Sequence, residues 1–105
     1  MVGVAAVRVD RGEAGGLDEA TVLARMRAEG LRPAAWGNGP GDEYGWHEHS
    51  YLKVLYCVAG SIVFHTADGD LLLESGDRLH LPPHTEHAAT VGPAGCRCVE
   101  AATAG

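Results

Sequence analysis

Two histidines one residue apart, His47 and His49, stand at the start of an apolar, β-favouring stretch that extends to Val58. In an extended strand alternate side chains point to the same face, so both imidazoles lie on one side, roughly 7 Å apart along the chain. Both rings can therefore reach one metal ion. Taken alone, the pair is equally typical of surface or hydrogen-bonded histidines.

A second stretch, GDRLHLPPHTEH at residues 76–87, brings in a third histidine, His87. A Gly-Asp turn begins a short strand there, and Pro82-Pro83 ends it before the loop that carries His87. A third imidazole downstream favours metal binding over an unrelated pair.

Together the two stretches resemble the motifs of a single-domain cupin. The first family motif is glycine, five residues, His-x-His, three or four residues, glutamate, six residues and glycine; its matching positions are Gly41, His47, His49 and Gly60. The second is glycine, five residues, Pro-x-Gly, two residues, histidine, three residues and asparagine; its matching positions are Gly76, Pro82 and His87. The two motifs cover residues 41–91, about half of the chain.

The resemblance implies an all-β double-stranded β-helix, a jelly-roll barrel, with one short N-terminal helix. It also implies that His47, His49 and His87 bind a divalent metal ion inside the barrel mouth. Three neutral imidazoles suit Fe, Mn, Ni, Co, Cu or Zn, and the ligand set does not choose among them. Open coordination positions would let the ion polarise a substrate oxygen, bind dioxygen or activate water.

Three residues depart from the family pattern: Lys53 replaces the glutamate, His84 replaces the glycine of the second motif, and Val91 replaces the asparagine. Strand alternation places Lys53 on the face of the two first-motif histidines, where it would hold a substrate oxyanion or move a proton. Alternatively, it extends outward as a solvated residue. For His84 a fourth ligand, an acid-base group at the pocket rim and a solvent-facing residue all stay open.

These features lead to three functional hypotheses. The first is a metalloenzyme acting on a small anionic or oxygen-rich molecule, most simply a dioxygenase, by analogy with three-histidine cupins. The second is a non-catalytic binding or sensor module with weak or no metal. The third, a metal-free isomerase or epimerase with His84 and Lys53 as acid and base, is the least favoured.

The elements that position these residues are short strands. Residues 4–9 are predicted to form a first strand that pairs across a subunit boundary, and residues 18–29 a helix capped by Asp18, with a narrow apolar stripe suited to a sheet edge or barrel mouth. Further strands are expected at 31–36, 51–58, 61–66, 71–74, 78–81, 88–91 and 96–101, with a glycine-rich loop at 37–45 and turns at Ala59-Gly60, Ala67–Asp70, Ser75–Asp77 and Gly92-Pro93. Trp36, Tyr44 and Trp46 bracket the glycine-rich loop as an aromatic wall or as ordinary packing.

Composition limits the remaining possibilities. A chain of 105 residues supports one domain, with an N-terminal strand and helix at 1–30 and a barrel at about 31–101. Its net charge of −6 without basic clusters disfavours nucleic acid, and no segment predicts a signal peptide or membrane span. Three cysteines are expected to be reduced in the cytoplasm, with Cys57 in the core. Unpaired strand edges predict a homodimer.

Overall fold

The computed structural model describes residues 6–103, which fold into one antiparallel sheet of seven strands and a single helix. The expected all-β architecture with one short N-terminal helix is confirmed. The elements are β1 Arg8–Asp10, α1 Glu19–Ala28, β2 Ala34–Asn38, β3 Glu43–His47, β4 Leu52–Thr66, β5 Gly69–Glu74, β6 Arg78–Leu81 and β7 His87–Thr103.

Two long strands, β4 and β7, lie next to each other at the centre of the sheet and pair along nearly their whole length. Leu52 lies opposite Thr103 at one end, and Thr66 lies opposite His87 at the other. The two halves of β4 also pair with β6 and β5, while β7 pairs with β2 and β3. Register shifts interrupt the β4–β7 ladder between Cys57 and Ile62. Such bulges bend strands and increase their twist, which lets a sheet close over a core.

The turns expected at Ala59-Gly60 and Gly92-Pro93 are wrong, because both positions lie inside continuous strands. Gly60 and Gly95 have φ of +69° and +76°, and they meet where the two long strands bulge. A Cβ on Gly60 would lie 2.0 Å from the carbonyl oxygen of Gly95. The two glycines therefore allow the backbones of β4 and β7 to approach closely, and they do not reverse the direction of the chain.

Three further expectations about the first half of the chain need correction. The strand placed at 31–36 begins at Ala34 and continues to Asn38. The last three residues of the glycine-rich loop, from Glu43, belong to strand β3, which pairs with β7. Strand β1 pairs with β6 of the same chain, opposite residues 78–80, and a pairing across a subunit boundary stays a prediction; the rest of that predicted strand, residues 4–5, lies outside the described residues.

Strand alternation divides the apolar residues into two clusters, as expected for β4. Leu55 and Cys57 face the barrel interior with Ile62 and Phe64. The opposite face carries a second cluster of Val54, Tyr56, Val99, Ala101, Val22, Met26 and Ala14. Two of its members, Val22 and Met26, come from α1 and are fully buried. The helix therefore covers the outer face of the sheet with a core of its own, rather than a sheet edge or the barrel mouth.

Local signals at the remaining ends of elements behave as predicted. Asp18 caps α1 by accepting a hydrogen bond from the Thr21 backbone N–H at 2.8 Å. The Asp-Gly signal closes the β4–β5 hairpin, with Thr66 opposite Gly69. Strand β6 ends at Leu81, immediately before Pro82-Pro83. The end of β6 is followed by the loop at residues 82–86, which leads to His87 at the start of β7.

Candidate functional site

Strands β3 and β7 bring the three motif histidines together. His47 ends β3 and lies directly opposite His87, the first residue of β7. His49 lies two residues past the end of β3, and its ring stacks on Tyr51 with centroids 4.8 Å apart. The potential ligand atoms of His47, His49 and His87 all lie within 4.8 Å of one another. Three imidazoles at this separation can converge on one ion.

Backbone carbonyls orient two of these rings. Nδ1 of His47 lies 2.7 Å from the Gly45 oxygen, and Nδ1 of His87 lies 2.8 Å from the Thr85 oxygen. A carbonyl can only accept, so each Nδ1 carries a proton, and Nε2 is the nitrogen left to bind a metal. This arrangement of a ring nitrogen donating to a carbonyl is typical of metal-binding histidines.

Two of the Nε2 atoms have no partner. Nε2 of His49 and Nε2 of His87 are buried, and neither has a hydrogen-bond partner among residues 6–103. Burial lowers the pKa of both imidazoles, and the nearby charge of Lys53 lowers it further. Both rings are therefore neutral near pH 7, the form that binds a metal. Buried polar atoms rarely stay unsatisfied without a functional reason.

His47 and His87 border a small cavity of about 40 Å³. This is room for about three water-sized groups and lies well below the ~300–1,000 Å³ of typical small-molecule sites. The indole of Trp36 and the ring of Tyr44 meet edge to face in its wall, with centroids 5.9 Å apart. The lining residues are Trp36, Tyr44, His47, Lys53, Ile62, Phe64, His87 and Ala89. Of the three bracketing aromatics, Trp36 and Tyr44 thus form a wall of the cavity, whereas Trp46 is 59% exposed.

Comparison with known proteins supports this geometry. The family model of the AraC-like ligand binding domain matches residues 35–98, which include all three histidines. The chain belongs to this family. As an AraC-like domain of the cupin type, it shares its fold with many solved structures, so the cupin resemblance is confirmed.

Three structural neighbours illustrate the range of proteins that share this fold. An RmlC-like cupin from Shewanella frigidimarina is 25% identical, with a TM-score of 0.63 over 71% of this chain and 67% of that one. A DUF861 family protein from Thermotoga maritima is 16% identical, with a TM-score of 0.65 over 93% of this chain and all of that one. A structure of the DMSP lyases RdDddP and RnDddQII is 35% identical over 71% of this chain, with a TM-score of 0.62. The AraC-like domain spans 40% of that chain. None of the curated proteins matches the chain.

Lys53 of this AraC-like domain points into the barrel. It lies on β4 between Leu81 of β6 and Ala102 of β7, is only 8% exposed, and lines the cavity with the histidines. Its ammonium is 3.4 Å from Oε2 of Glu100. Of the two orientations considered for Lys53, the structure has the inward one.

Glu100 is the residue that sequence reasoning missed. It lies on β7, where its Oε1 accepts a hydrogen bond of 2.6 Å from Nε1 of Trp36. A signal for its position existed, because Cys96, Cys98 and Glu100 alternate along β7 and Val99 and Ala101 face the outer cluster. Alternation therefore places Glu100 on the inward face.

His84 takes no part in the three-histidine cluster. Its side chain is 70% exposed, and Nδ1 lies 3.8 Å from Oε2 of Glu48. Its backbone has a left-handed φ of +59°, in keeping with the glycine of the family motif, and its N–H donates to the His49 carbonyl at 2.7 Å. The backbone of His84 thereby helps to hold His49 in place.

The remaining histidines, His65 and His80, have hydrogen-bond partners outside the three-histidine cluster. His65 bonds Asp70 and Thr90 through its two ring nitrogens, and Nε2 of His80 accepts from Arg78. All three cysteines are free and buried, and Cys57 packs in the core as predicted. Within residues 6–103, no helix has the length and apolarity to span a membrane.

Proposed function

We propose that this AraC-like cupin domain binds one divalent metal ion through His47, His49 and His87 and uses it to hold a small anionic or oxygen-rich molecule. The observation that carries the proposal is the pair of buried, unpartnered Nε2 atoms beside a cavity. A metal ion would satisfy both nitrogens at once, together with the lone pair of His47.

The chain supplies the ligand atoms and the surroundings for such an ion. The Gly45 and Thr85 carbonyls orient two rings, the His84 N–H anchors the third through the His49 carbonyl, and the apolar wall limits water. A bound ion would add a Lewis acid that can polarise an oxygen of the ligand. Fe, Mn, Co, Ni, Cu and Zn all accept three imidazoles, so the metal's identity is open in this proposal.

The anionic character of the ligand rests on the charges around the cluster. With neutral histidines the ion would keep its full positive charge, and the buried ammonium of Lys53 borders the same cavity. A ligand carboxylate or oxyanion would offset the charge of the ion, whereas the charge of Lys53 is already offset by Glu100, 3.4 Å away. Lys53 is our proposed anion-binding or proton-transfer residue, and His84 is a proposed acid-base residue at the rim.

For the reaction class we propose dioxygenase-type chemistry, for which an ion held by His47, His49 and His87 would supply open coordination positions. Protein loaded anaerobically with Fe(II) should consume dioxygen when a small anionic substrate is added, and a His49→Ala variant should not. Dioxygen uptake that is equal in both proteins would rule this reaction out. One structural neighbour is a structure of DMSP lyases, so lyase activity is assayed for comparison. A lyase reaction consumes no dioxygen.

A non-catalytic ligand-binding module is the second candidate. The family description itself favours it, as does a lysine where a cupin glutamate is expected. Elemental analysis of untagged protein separates the two candidates. Stoichiometric iron, zinc, nickel or another transition metal supports the metal centre, whereas protein without stoichiometric metal but with a bound small molecule supports the binding module.

We also propose that the domain is a cytoplasmic homodimer. Trp46 on β3 and Leu72 on β5 are exposed, at 59% and 44%, on strands that each pair with only one neighbour. Exposed strands with large apolar side chains favour association. Light scattering should give twice the chain mass; a monomer at every concentration would contradict the dimer.

A further inference from the structure

The cavity beside the histidines is small, and one side of its wall belongs to the main core. Its volume of about 40 Å³ leaves room for about three water-sized groups. Ile62 and Phe64 of β4 and Ala89 of β7 line this side, and all three are buried. Phe64 also lies directly opposite Ala89 in the β4–β7 ladder. Close packing therefore fixes this side of the wall.

Trp36 and Tyr44 form the opposite side of the wall, and their rings support each other. Trp36 lies on β2 and Tyr44 on β3, and both strands pair with β7. The two rings meet edge to face, with centroids 5.9 Å apart, and the Tyr44 hydroxyl donates a hydrogen bond to Oδ1 of Asn38 on β2. These contacts hold the two aromatic rings together across the neighbouring ends of β2 and β3.

Glu100 supports the indole of Trp36 from outside the cavity. Its Oε1 accepts the 2.6 Å hydrogen bond from Nε1 of Trp36, and its Oε2 lies 3.4 Å from the ammonium of Lys53. Both carboxylate oxygens are thus in use, and Glu100 does not line the cavity. A charge-assisted hydrogen bond of this kind favours one orientation of the ring. The indole therefore has a fixed place in the wall.

The indole is the part of the wall that decides how large a ligand can be. Trp36 packs against the main core from the end strand of the sheet and is only partly buried. Its ring system contains about three times as many non-hydrogen atoms as the cavity has room for. Removing the indole would therefore add more space beside His47 and His87 than the cavity now has.

We propose that Trp36 is the specificity-determining residue of this site and restricts the group that enters the barrel beside His47 and His87 to about three non-hydrogen atoms. A carboxylate group or a dioxygen molecule has this size, whereas an aromatic ring is too large. This inference rests on the proposed three-histidine metal site for the location of the ligand. It adds the size class of the ligand and the residue that sets it.

The first test compares two carboxylates, formate and benzoate, which share their charge and ligating group but differ in size. Protein is loaded with Zn²⁺, its metal content is measured, and binding of each anion is followed by calorimetry. We expect the wild type to bind formate about tenfold or more tightly than benzoate. In Trp36→Ala the affinity for benzoate should rise about tenfold or more, while the affinity for formate should change less than about threefold.

Two further variants assign the effect to the indole. Trp46→Ala is the matched control, because Trp46 is the other tryptophan of the chain, is 59% exposed and does not line this cavity. It should keep the wild-type preference for formate. Trp36→Phe keeps a smaller ring in the wall and loses the bond to Glu100, so its affinity for benzoate should rise by a smaller factor. If Trp36→Ala does not fold, Trp36→Phe carries the same test.

The second test needs no metal. Indole is titrated into metal-free protein, and we expect it to bind Trp36→Ala but neither the wild type nor Trp46→Ala, because an apolar cavity accepts a molecule of the shape that was removed. A Trp36→Ala variant that gains affinity for neither benzoate nor indole would overturn the size restriction.

The outcomes for the size restriction and for the metal centre are distinct. On protein that holds one Zn²⁺ per chain, a wild type that binds benzoate as tightly as formate, or binds neither, would overturn the role of Trp36. Zn²⁺ content well below one per chain would overturn the metal centre instead, and the indole titration would then decide whether Trp36 limits the size of the cavity.

Discussion

The ammonium nitrogen of Lys53 lies 3.4 Å from Oε2 of Glu100, across the neighbouring strands β4 and β7. The cupin motif expects a glutamate at position 53, so charge signs are exchanged: the cation stands on β4 and the carboxylate on β7. Lys53 also lowers the pKa of His49 and His87, after the larger effect of burial. Its charge therefore acts on two of the three clustered histidines.

Replacing Lys53 by glutamate should raise metal affinity. Lys53→Glu removes a repulsive charge and returns an oxygen ligand to the position where the family motif has one, whereas Lys53→Gln removes only the charge. We expect Lys53→Glu to bind Zn²⁺ about tenfold more tightly than Lys53→Gln, in competition with a chromophoric chelator. Equal affinities in the two variants would show that position 53 cannot reach the ion.

Gly60 should tolerate no side chain. Gly60→Ala combines a φ of +69° with a Cβ only 2.0 Å from the Gly95 oxygen. Gly41→Ala is the matched control, because its φ is +75° but no atom lies within 4 Å of the new Cβ. We expect a loss of about 1 kcal/mol in the free energy of unfolding for Gly41→Ala and about 2–4 kcal/mol for Gly60→Ala.

Denaturant unfolding of the two variants measures that difference. Similar losses would mean that the φ angle alone explains both glycines and that the strand crossing relaxes without cost. Gly41 and Gly60 are both glycines of the cupin motif. A larger loss of stability for Gly60→Ala would therefore be due to packing and not to motif membership.

The pairing of His47 with His49 could be predicted from the sequence, because local strand geometry places both on one face. Their convergence with His87, 38 residues later, is predicted only through the resemblance to the cupin motifs. Alternation along β4 gives the inward orientation of Lys53 as one of two possibilities.

The pairing of Glu100 with Lys53 could not be found in the same way, although alternation along β7 indicates the inward face for Glu100. Its partner is decided by the register of β4 against β7, where Leu55 lies opposite Glu100 and Lys53 is the diagonal neighbour. No local sequence pattern indicates the register of β4 against β7. The same long-range pairing explains the two wrong turns, since Gly60 and Gly92 resemble turn residues until the pairing of β4 with β7 around them is known.

Acid stability should depend on Asp77. Its carboxylate accepts hydrogen bonds of 2.9 Å from the backbone N–H groups of Gly12 and Glu74 and from Arg11. Burial opposes ionisation, but these bonds outweigh it and lower the pKa of Asp77 below its ordinary 3.8. A depressed pKa stabilises the fold above pH 3.8, and that contribution is lost as the pH falls through the folded-state pKa.

Asp77→Asn should therefore cost about 1–3 kcal/mol at neutral pH, because an amide cannot accept all three bonds. The difference from the wild type should shrink as the pH falls from about 7 to about 2. Thermal melting across this range provides the measurement. A gap that stays constant with pH would mean that the charge of Asp77 contributes nothing.

The helix should stabilise the barrel through Met26. Met26→Ala opens a cavity in the outer cluster and should cost about 2–5 kcal/mol. Leu23→Ala, at a partly buried position of the same helix, should cost about 1 kcal/mol. Urea denaturation of both variants tests whether α1 contributes buried core residues. Equally small losses in the free energy of unfolding would mean that α1 only shields the sheet from solvent.

X-ray absorption at the zinc edge of Zn²⁺-loaded protein tests the central claim most directly, because it counts the ligands of the ion. We predict three imidazole nitrogens at ~2.0–2.1 Å, falling to two in His49→Ala, with no change in His65→Ala. Sulfur at ~2.3 Å would instead assign the ion to the buried cysteines. That result, or a spectrum that His49→Ala leaves unchanged, would contradict the three-histidine centre.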